Sequence, residues 1–232
     1  MIQNLEKIFT GAGKIEILVA LALVVIATIY LITLVFGKSR HGPEVTLLVG
    51  PCGSGKTTLF YKWTKPDMKV RTVTSQSVNR AKYNNKELVD YPGHPRLRGG
   101  IGAILPRANR IVFLVDSATP SLDEYNLAAE FLYDLLVHPA LRRDARMMIA
   151  CNKSDLKCAR DANEMKKILD LQIERLRKSR MEGFLEGDNA VDQYLGVDGE
   201  EFDLVGHSPI PVEFATASVA QSKVSDIQVF IR

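Results

Sequence analysis

The sequence predicts an α/β protein: a mainly parallel six-stranded sheet with helices on both faces, preceded by one transmembrane helix. Three observations carry that reading. Residues 15–36 form an apolar run with a single charge, Glu16. From residue 44 onward, short apolar or β-branched strands alternate with helical patterns. The first of these strands runs straight into a glycine-rich loop that opens a helix.

The apolar run, IEILVALALVVIATIYLITLVF, is 22 residues long. As a helix it would measure about 33 Å, enough to span roughly 30 Å of bilayer hydrocarbon. It has no polar stripe, so it does not read as a surface helix. A cleaved signal peptide would have a shorter core and small residues at its cleavage site, whereas GKSRH follows here. Lys7 and Lys14 precede the run and Lys38 and Arg40 follow it, so basic residues alone do not orient it. The chemistry of the downstream motifs places the C-terminal side in the cytosol. The expected organisation is therefore a lumenal segment 1–14, a transmembrane helix 15–36, a polar linker 37–43 and a cytosolic domain 44–232.

Composition narrows the class further. Of 232 residues, 46 % are hydrophobic and 25 % charged, which suits a packed domain. Cys52, Cys151 and Cys158 are too few and too irregular for a disulfide framework and point to a reducing compartment. Net charge is +3, most of it in the first 42 residues. The nearly neutral remainder argues against direct binding of nucleic acid.

Residues 44–50, EVTLLVG, read as a buried strand. The next residues complete Gly50, Pro51, Cys52, Gly53, Ser54, Gly55, Lys56 and Thr57, the pattern GxxxxGK[ST] of a phosphate-binding loop. Its glycines let backbone N–H groups close on a phosphate, with the helix N-terminus behind them. Thr58 continues the helix start. Lys56 is expected to reach the terminal phosphates and Thr57 to ligate Mg²⁺.

The base is selected by Asn152, Lys153, Ser154 and Asp155, which follow the strand RMMIAC about 95 residues after the phosphate loop. Guanine presents N1–H and the 2-amino group side by side, and one carboxylate, Asp155, accepts both. Adenine lacks that donor pair. Asn152 would brace the phosphate loop, and the Lys153 stem would lie over the base. Ala217, in Thr216-Ala217-Ser218, is expected to offer its N–H to the base carbonyl. Asp90 and Gly93, in DYPGH, are assigned to Mg²⁺ through water and to the γ-phosphate. A hydroxyl between these motifs should reach Mg²⁺; Thr74 is the choice, with Thr72 second. His94 follows the glycine and either orients the attacking water or swings away.

With these motifs in order, residues 44–232 resemble a Ras-like small GTPase. Together with the N-terminal span and the DYPGH sequence, the chain resembles the β subunits of the signal recognition particle receptor. That resemblance implies GTP and Mg²⁺ as ligands and a GTP-dependent hold on the receptor's α subunit through switch segments 64–80 and 91–105. It also implies location in the endoplasmic reticulum membrane, with ribosome and signal recognition particle contacted only indirectly. Arf-like trafficking and a permanently nucleotide-bound structural anchor are the alternative functions.

Strands are expected near 45–50, 79–83, 86–90, 110–116, 146–152 and 212–216, and helices near 56–63, 97–105, 121–137, 159–181 and 225–231. Asn84-Asn85 suggests one hairpin. Met165, Ile168, Leu169, Ile173 and Leu176 form the inward stripe of the fourth helix. Glu164, Lys166, Lys167, Glu174, Arg175 and Lys178 are read as its solvated side. Residues 183–209, rich in glycine and acids, are read as a mobile surface loop.

Overall fold

The computed structural model describes residues 19, 21–28, 44–66, 75–184 and 194–232, with backbone alone for 182–184. The chain divides into two units, Met1–His41 and Gly42–Arg232. In the first, residues 21–28 are helical and their side chains are exposed. Most of the predicted span, 15–36, lies outside the described residues. Among the described residues no helix is long and apolar enough to cross a membrane.

The second unit is built on six strands: β1 (Val45–Val49), β2 (Asn79–Tyr83), β3 (Lys86–Asp90), β4 (Ala108–Asp116), β5 (Arg146–Asn152) and β6 (Val212–Thr216). Their order is β2-β3-β1-β4-β5-β6. All neighbours are parallel except β2 and β3. That hairpin turns at Asn84 and Asn85, with φ of 48° and 63°. Asparagine tolerates this left-handed backbone, which matches the twist of the flanking strands.

The central strands are buried on both faces. Leu47, Ile111, Phe113, Met147 and Ile149 enter one core, while Leu48, Val112, Leu114, Met148 and Ala150 enter the other. Near-continuous apolar runs of this kind are what a parallel sheet covered by helices requires. Helices α2 (Leu122–Leu136) and α3 (Ala162–Phe184) supply residues to the first core; α1 (Lys56–Thr64) and α5 (Ser225–Phe230) supply the second. Helix α3 starts with a reciprocal cap. Asp161 Oδ1 accepts from Glu164 N–H at 2.8 Å, and Glu164 Oε2 accepts from Asp161 N–H at 3.3 Å.

Two expectations are corrected. The 97–105 helix is not α but a pair of 3₁₀ turns, Pro95–Ala103 and Leu105–Arg107. Gly99, Gly100 and Gly102 lower α-helix propensity there, and i to i+3 bonds such as Leu97 N–H to His94 O take over. Nor is the described part of 183–209 a free loop. Residues 194–207 pack along α3, burying Leu195, Phe202 and Leu204, and include a one-turn helix, α4 (Leu204–His207). The predicted solvated side of α3 is partly their seat. Lys166 pairs with Asp170 and with Asp203 of the packed segment, and Glu174 accepts from Phe202 N–H at 3.2 Å. Arg177, only 2 % exposed, donates to Val197 O at 2.7 Å and lies over the Tyr194 and Phe202 rings.

The short helix α5 closes the sheet through cations. Arg110 Nε donates to Phe230 O at 3.0 Å and Lys86 Nζ to Arg232 O at 2.8 Å. Phe230 O is one of the carbonyls that the last turn of a helix leaves without an intrahelical partner.

Candidate nucleotide site

Parallel strands deliver their loops to one edge, at their carboxyl ends. There the loops after β1, β3 and β5 wall a cavity of about 350 Å³. Cys52, Gly53, Gly55, Lys56, Thr57 and Thr58 form one end of it. Asn152, Lys153 and Asp155 form the other, and Pro92 and Gly93 lie along the side. Residues scattered over a hundred positions are thus brought to one concave surface.

The phosphate loop takes a backbone course that side chains would block. Gly50 has φ 135°, and a Cβ there would meet Leu114 O at 2.1 Å. Gly55 has φ 98°, and a Cβ would meet Asn152 Nδ2 at 2.3 Å. Gly93 presses on the loop from outside, its imagined Cβ 2.5 Å from Gly50 O. Lys56 is 6 % exposed and donates to Pro51 O at 2.7 Å and Ser54 Oγ at 3.3 Å. Burial lowers its pKa to about 8, opposed by the charges of Asp90 and Cys52 and aided by Arg98. An ammonium held this way gains most from an arriving anion.

Asp90 is fully buried at the end of β3. Its Oδ2 accepts from Thr57 Oγ1 at 2.9 Å and from Asn79 Nδ2 at 2.9 Å. Among the described residues its Oδ1 has no hydrogen-bond partner. Burial raises its pKa, with the Asn79 and Thr57 hydrogen bonds and Lys56 pulling the other way. A buried acceptor left unpaired beside a threonine hydroxyl suits a hydrated divalent cation. The chosen first-switch hydroxyl, Thr74, and its runner-up, Thr72, lie outside the described residues. Ser75 is described: it lines the cavity, and its hydroxyl is 3.3 Å from Thr57 Oγ1 and 3.2 Å from Asn79 Nδ2. Sequence reasoning ranked threonines first and passed over the serine beside them.

At the base end, Asn152 ties three segments together. Its Nδ2 donates to Ser54 O at 2.7 Å, its Oδ1 accepts from Val219 N–H at 2.9 Å, and its carbonyl accepts from Ser117 Oγ at 2.7 Å. The expected brace on the phosphate loop is therefore present. Lys153 has φ 67° and pairs with Asp116 Oδ2 at 2.5 Å. Asp155 is exposed to the cavity and accepts from Ser218 Oγ at 2.5 Å; that hydroxyl is the main cause of its lowered pKa. Ser218 thus orients the carboxylate, a role not foreseen from TAS.

Ala217 is placed differently from the expectation. It is buried, and its N–H donates to Cys151 O at 2.8 Å. The cavity wall belongs to Val219 and Ala220, two and three residues on. His94 also stays off the wall. It is exposed and caps the first 3₁₀ turn, its Nδ1 accepting from Arg96 N–H at 3.3 Å. Arg98 Nε donates to Gly93 O at 3.3 Å while its guanidinium lies 4.2 Å from the Phe131 ring centroid, so it folds back onto α2.

A phosphate loop, a buried carboxylate beside its threonine and an Asn-Lys-x-Asp end, carried on this sheet order, define the class: a small GTPase-type nucleotide-binding fold. Residues 42–207 match the family described as signal recognition particle receptor beta subunit. The chain belongs to that family. It is 33 % identical over 215 residues to the signal recognition particle receptor subunit beta of Rattus norvegicus, covering 87 % of this chain and 78 % of the relative. A structure of the mammalian signal recognition particle receptor superposes with a TM-score of 0.70 at 32 % identity, over 81 % of this chain and 98 % of the other. The GDP-bound β subunit of that receptor from Chaetomium thermophilum gives 0.62 at 27 %, over 82 % and 96 %.

Proposed function

We propose that this chain is the guanine-nucleotide-binding, membrane-anchored subunit of a signal recognition particle receptor, and that it holds the α subunit at the endoplasmic reticulum membrane in a GTP-dependent way. The observation that carries the nucleotide reading is a continuous cavity with a phosphate loop at one end and Asp155 at the other. Its order of anion site, unpaired carboxylate oxygen and base-selecting carboxylate follows the order of a nucleoside phosphate with Mg²⁺.

In this reading Gly53, Gly55, Lys56, Thr57 and Thr58 hold the phosphates, and Asp155 accepts from the guanine edge. Thr57 and, through water, Asp90 hold Mg²⁺, joined by a hydroxyl of the first switch, Thr74 or the adjacent Ser75. Bound Mg²⁺ neutralises phosphate charge and gives that hydroxyl a reason to dock. The segments 64–80 and 91–105 then respond to the γ-phosphate, through this hydroxyl and Gly93. Because His94 caps a turn outside the cavity, slow intrinsic turnover fits this arrangement better than rapid hydrolysis.

The exposed apolar side chains of residues 21–28 support the anchor reading. So does the family, whose β subunits belong to a receptor for secretory targeting. Contact with ribosome and signal recognition particle would follow through the α subunit.

The test is equilibrium binding of the detergent-solubilised full chain, loaded with GTP or GDP, to the N-terminal domain of the α subunit. Binding with GTP and loss with GDP is the expected result. Equal binding in both states would replace the switch with a structural anchor, and no binding in either would remove the α-subunit assignment.

A further inference from the structure

Lys62 belongs to none of the nucleotide motifs. It lies in the last turn of α1, the helix that the phosphate loop opens. Its ammonium donates to Val219 O, to Ala220 O at 2.9 Å and to Ser222 Oγ at 3.1 Å. A lysine ammonium has three donors, and all three go to one turn. That turn also closes on itself. Ser218 and Lys223 exchange backbone hydrogen bonds at 2.9 and 3.0 Å, and Ser222 takes φ 60°. Gln221 N–H donates to Ser218 Oγ at 3.1 Å.

Two of these residues, Val219 and Ala220, wall the base end of the cavity. A trans peptide is planar, so the N–H that follows a carbonyl points opposite to it. By holding Val219 O, Lys62 turns the Ala220 N–H away from α1. Val219 N–H is already committed to Asn152 Oδ1. The amide left to read an acceptor on the base is therefore that of Ala220, and its direction is set by Lys62. Asn152 ties the turn to the phosphate loop from one side, and Lys62 ties it to the phosphate-loop helix from the other.

We infer that Lys62 is a positioning residue for base recognition: it aims the 219–222 turn at the 6-oxo group of guanine. The inference rests on the guanine-nucleotide reading above. It goes beyond that reading by assigning recognition of the 6-oxo group to a lysine that touches no nucleotide.

The experiment compares GDP with 6-thio-GDP, which keeps N1–H and the 2-amino group but has a weaker acceptor at position 6. The full chain in detergent is titrated at pH 7 as wild type, Lys62→Met and Lys62→Arg. Methionine keeps the apolar stem and removes the donors; arginine restores donors. One aimed hydrogen bond is worth up to about tenfold in affinity. The expected result is a GDP preference in the wild type that shrinks up to about tenfold in Lys62→Met, with 6-thio-GDP binding little changed, and that Lys62→Arg largely recovers. Equal weakening of both ligands in Lys62→Met would make Lys62 a general structural tie and overturn the inference. So would an unchanged preference. A wild type that binds neither ligand would overturn the guanine reading itself, which separates the two failures. Thermal unfolding of each variant establishes that it is folded, and the arginine variant keeps the test decisive where methionine lowers stability.

Discussion

Nucleotide affinity is expected to fall as pH rises through about 8, because Lys56 must carry its proton to hold phosphate. Its ammonium is 6 % exposed, and burial brings its pKa down to about 8. An arriving phosphate stabilises the charged form, so the pKa in the complex is higher. Binding therefore takes up a proton wherever the free protein has lost one. Affinity stays level below about pH 7 and declines above 8. At pH 9 about one free molecule in eleven retains the charge, an affinity loss of about tenfold or about 1.4 kcal/mol. The empty fold responds in the opposite sense. In the unfolded chain lysine titrates near 10.4. Between about 8 and 10.4 the unfolded state thus holds more protons, and stability of the empty protein rises with pH. The assay is equilibrium titration of fluorescent GDP from pH 6.5 to 9 in a Cys52→Ala background, which removes the thiol beside Lys56. A Lys56→Met variant runs in parallel: it binds more weakly but carries the same base, so the ratio of the two isolates the lysine. A ratio that stays flat to pH 9 would refute the argument, showing that burial does not control this proton.

Three further outcomes follow from the geometry. Asp155→Asn replaces an acceptor with a donor, so selectivity is expected to move from guanine toward xanthine nucleotides, with GDP weakened by about 10- to 100-fold; competition between GDP and XDP checks it. Gly93→Ala puts a methyl 2.5 Å from Gly50 O and 2.7 Å from Pro51 C, backbone that cannot swing aside. A loss of about 1–3 kcal/mol and weaker nucleotide binding are expected from thermal unfolding and titration, and an unchanged protein would mean the 90–93 segment moves freely off the loop. Arg177→Ala leaves Glu174 without its buried partner and removes the tie to Val197 O. A loss of about 3 kcal/mol is expected, with faster proteolysis within 194–203; retained protection there would show that Leu195, Phe202 and Leu204 hold the segment unaided.

The sheet was legible because its strands have only one way to be buried. Runs such as Leu47-Leu48-Val49 and Ile111 to Val115 are apolar at every position, which excludes a one-sided sheet, and Asn84-Asn85 marks the single reversal. The alternation of Met165, Leu169 and Ile173 likewise marked the inner face of α3. Its outer face was misread because charge pattern does not distinguish solvent from a polar covering. Lys166 and Glu174 look like solvated charges in sequence, and both are engaged by the 194–207 segment, whose own apolar anchors, Leu195, Phe202 and Leu204, are too sparse to form a periodic signal. The 3₁₀ turns at 95–107 were misjudged because glycine and proline shift the balance between two helical forms that share a hydrophobic spacing.

The site divides along a different physical line. Lys56, Thr57, Asp90, Asn152 and Asp155 act through their own side chains on groups of fixed chemistry, so residue type and spacing revealed them. Val219 and Ala220 act through backbone direction, which Lys62 sets from outside the motifs, and backbone direction has no residue type. Any residue can donate the N–H that Ala220 offers, so counting along Thr216-Ala217-Ser218 could not locate it. Ala217 was chosen by position, yet its N–H closes the junction of β5 and β6 instead. Lys62 is the extreme case. Its sequence neighbours, Tyr61 and Trp63, say only that it sits on an amphipathic helix, and its partners lie 157 to 160 residues away. What identifies it is the convergence of three donors on two adjacent carbonyls and a hydroxyl, which exists only once α1 and the loop after β6 have been laid side by side on the same face of the sheet.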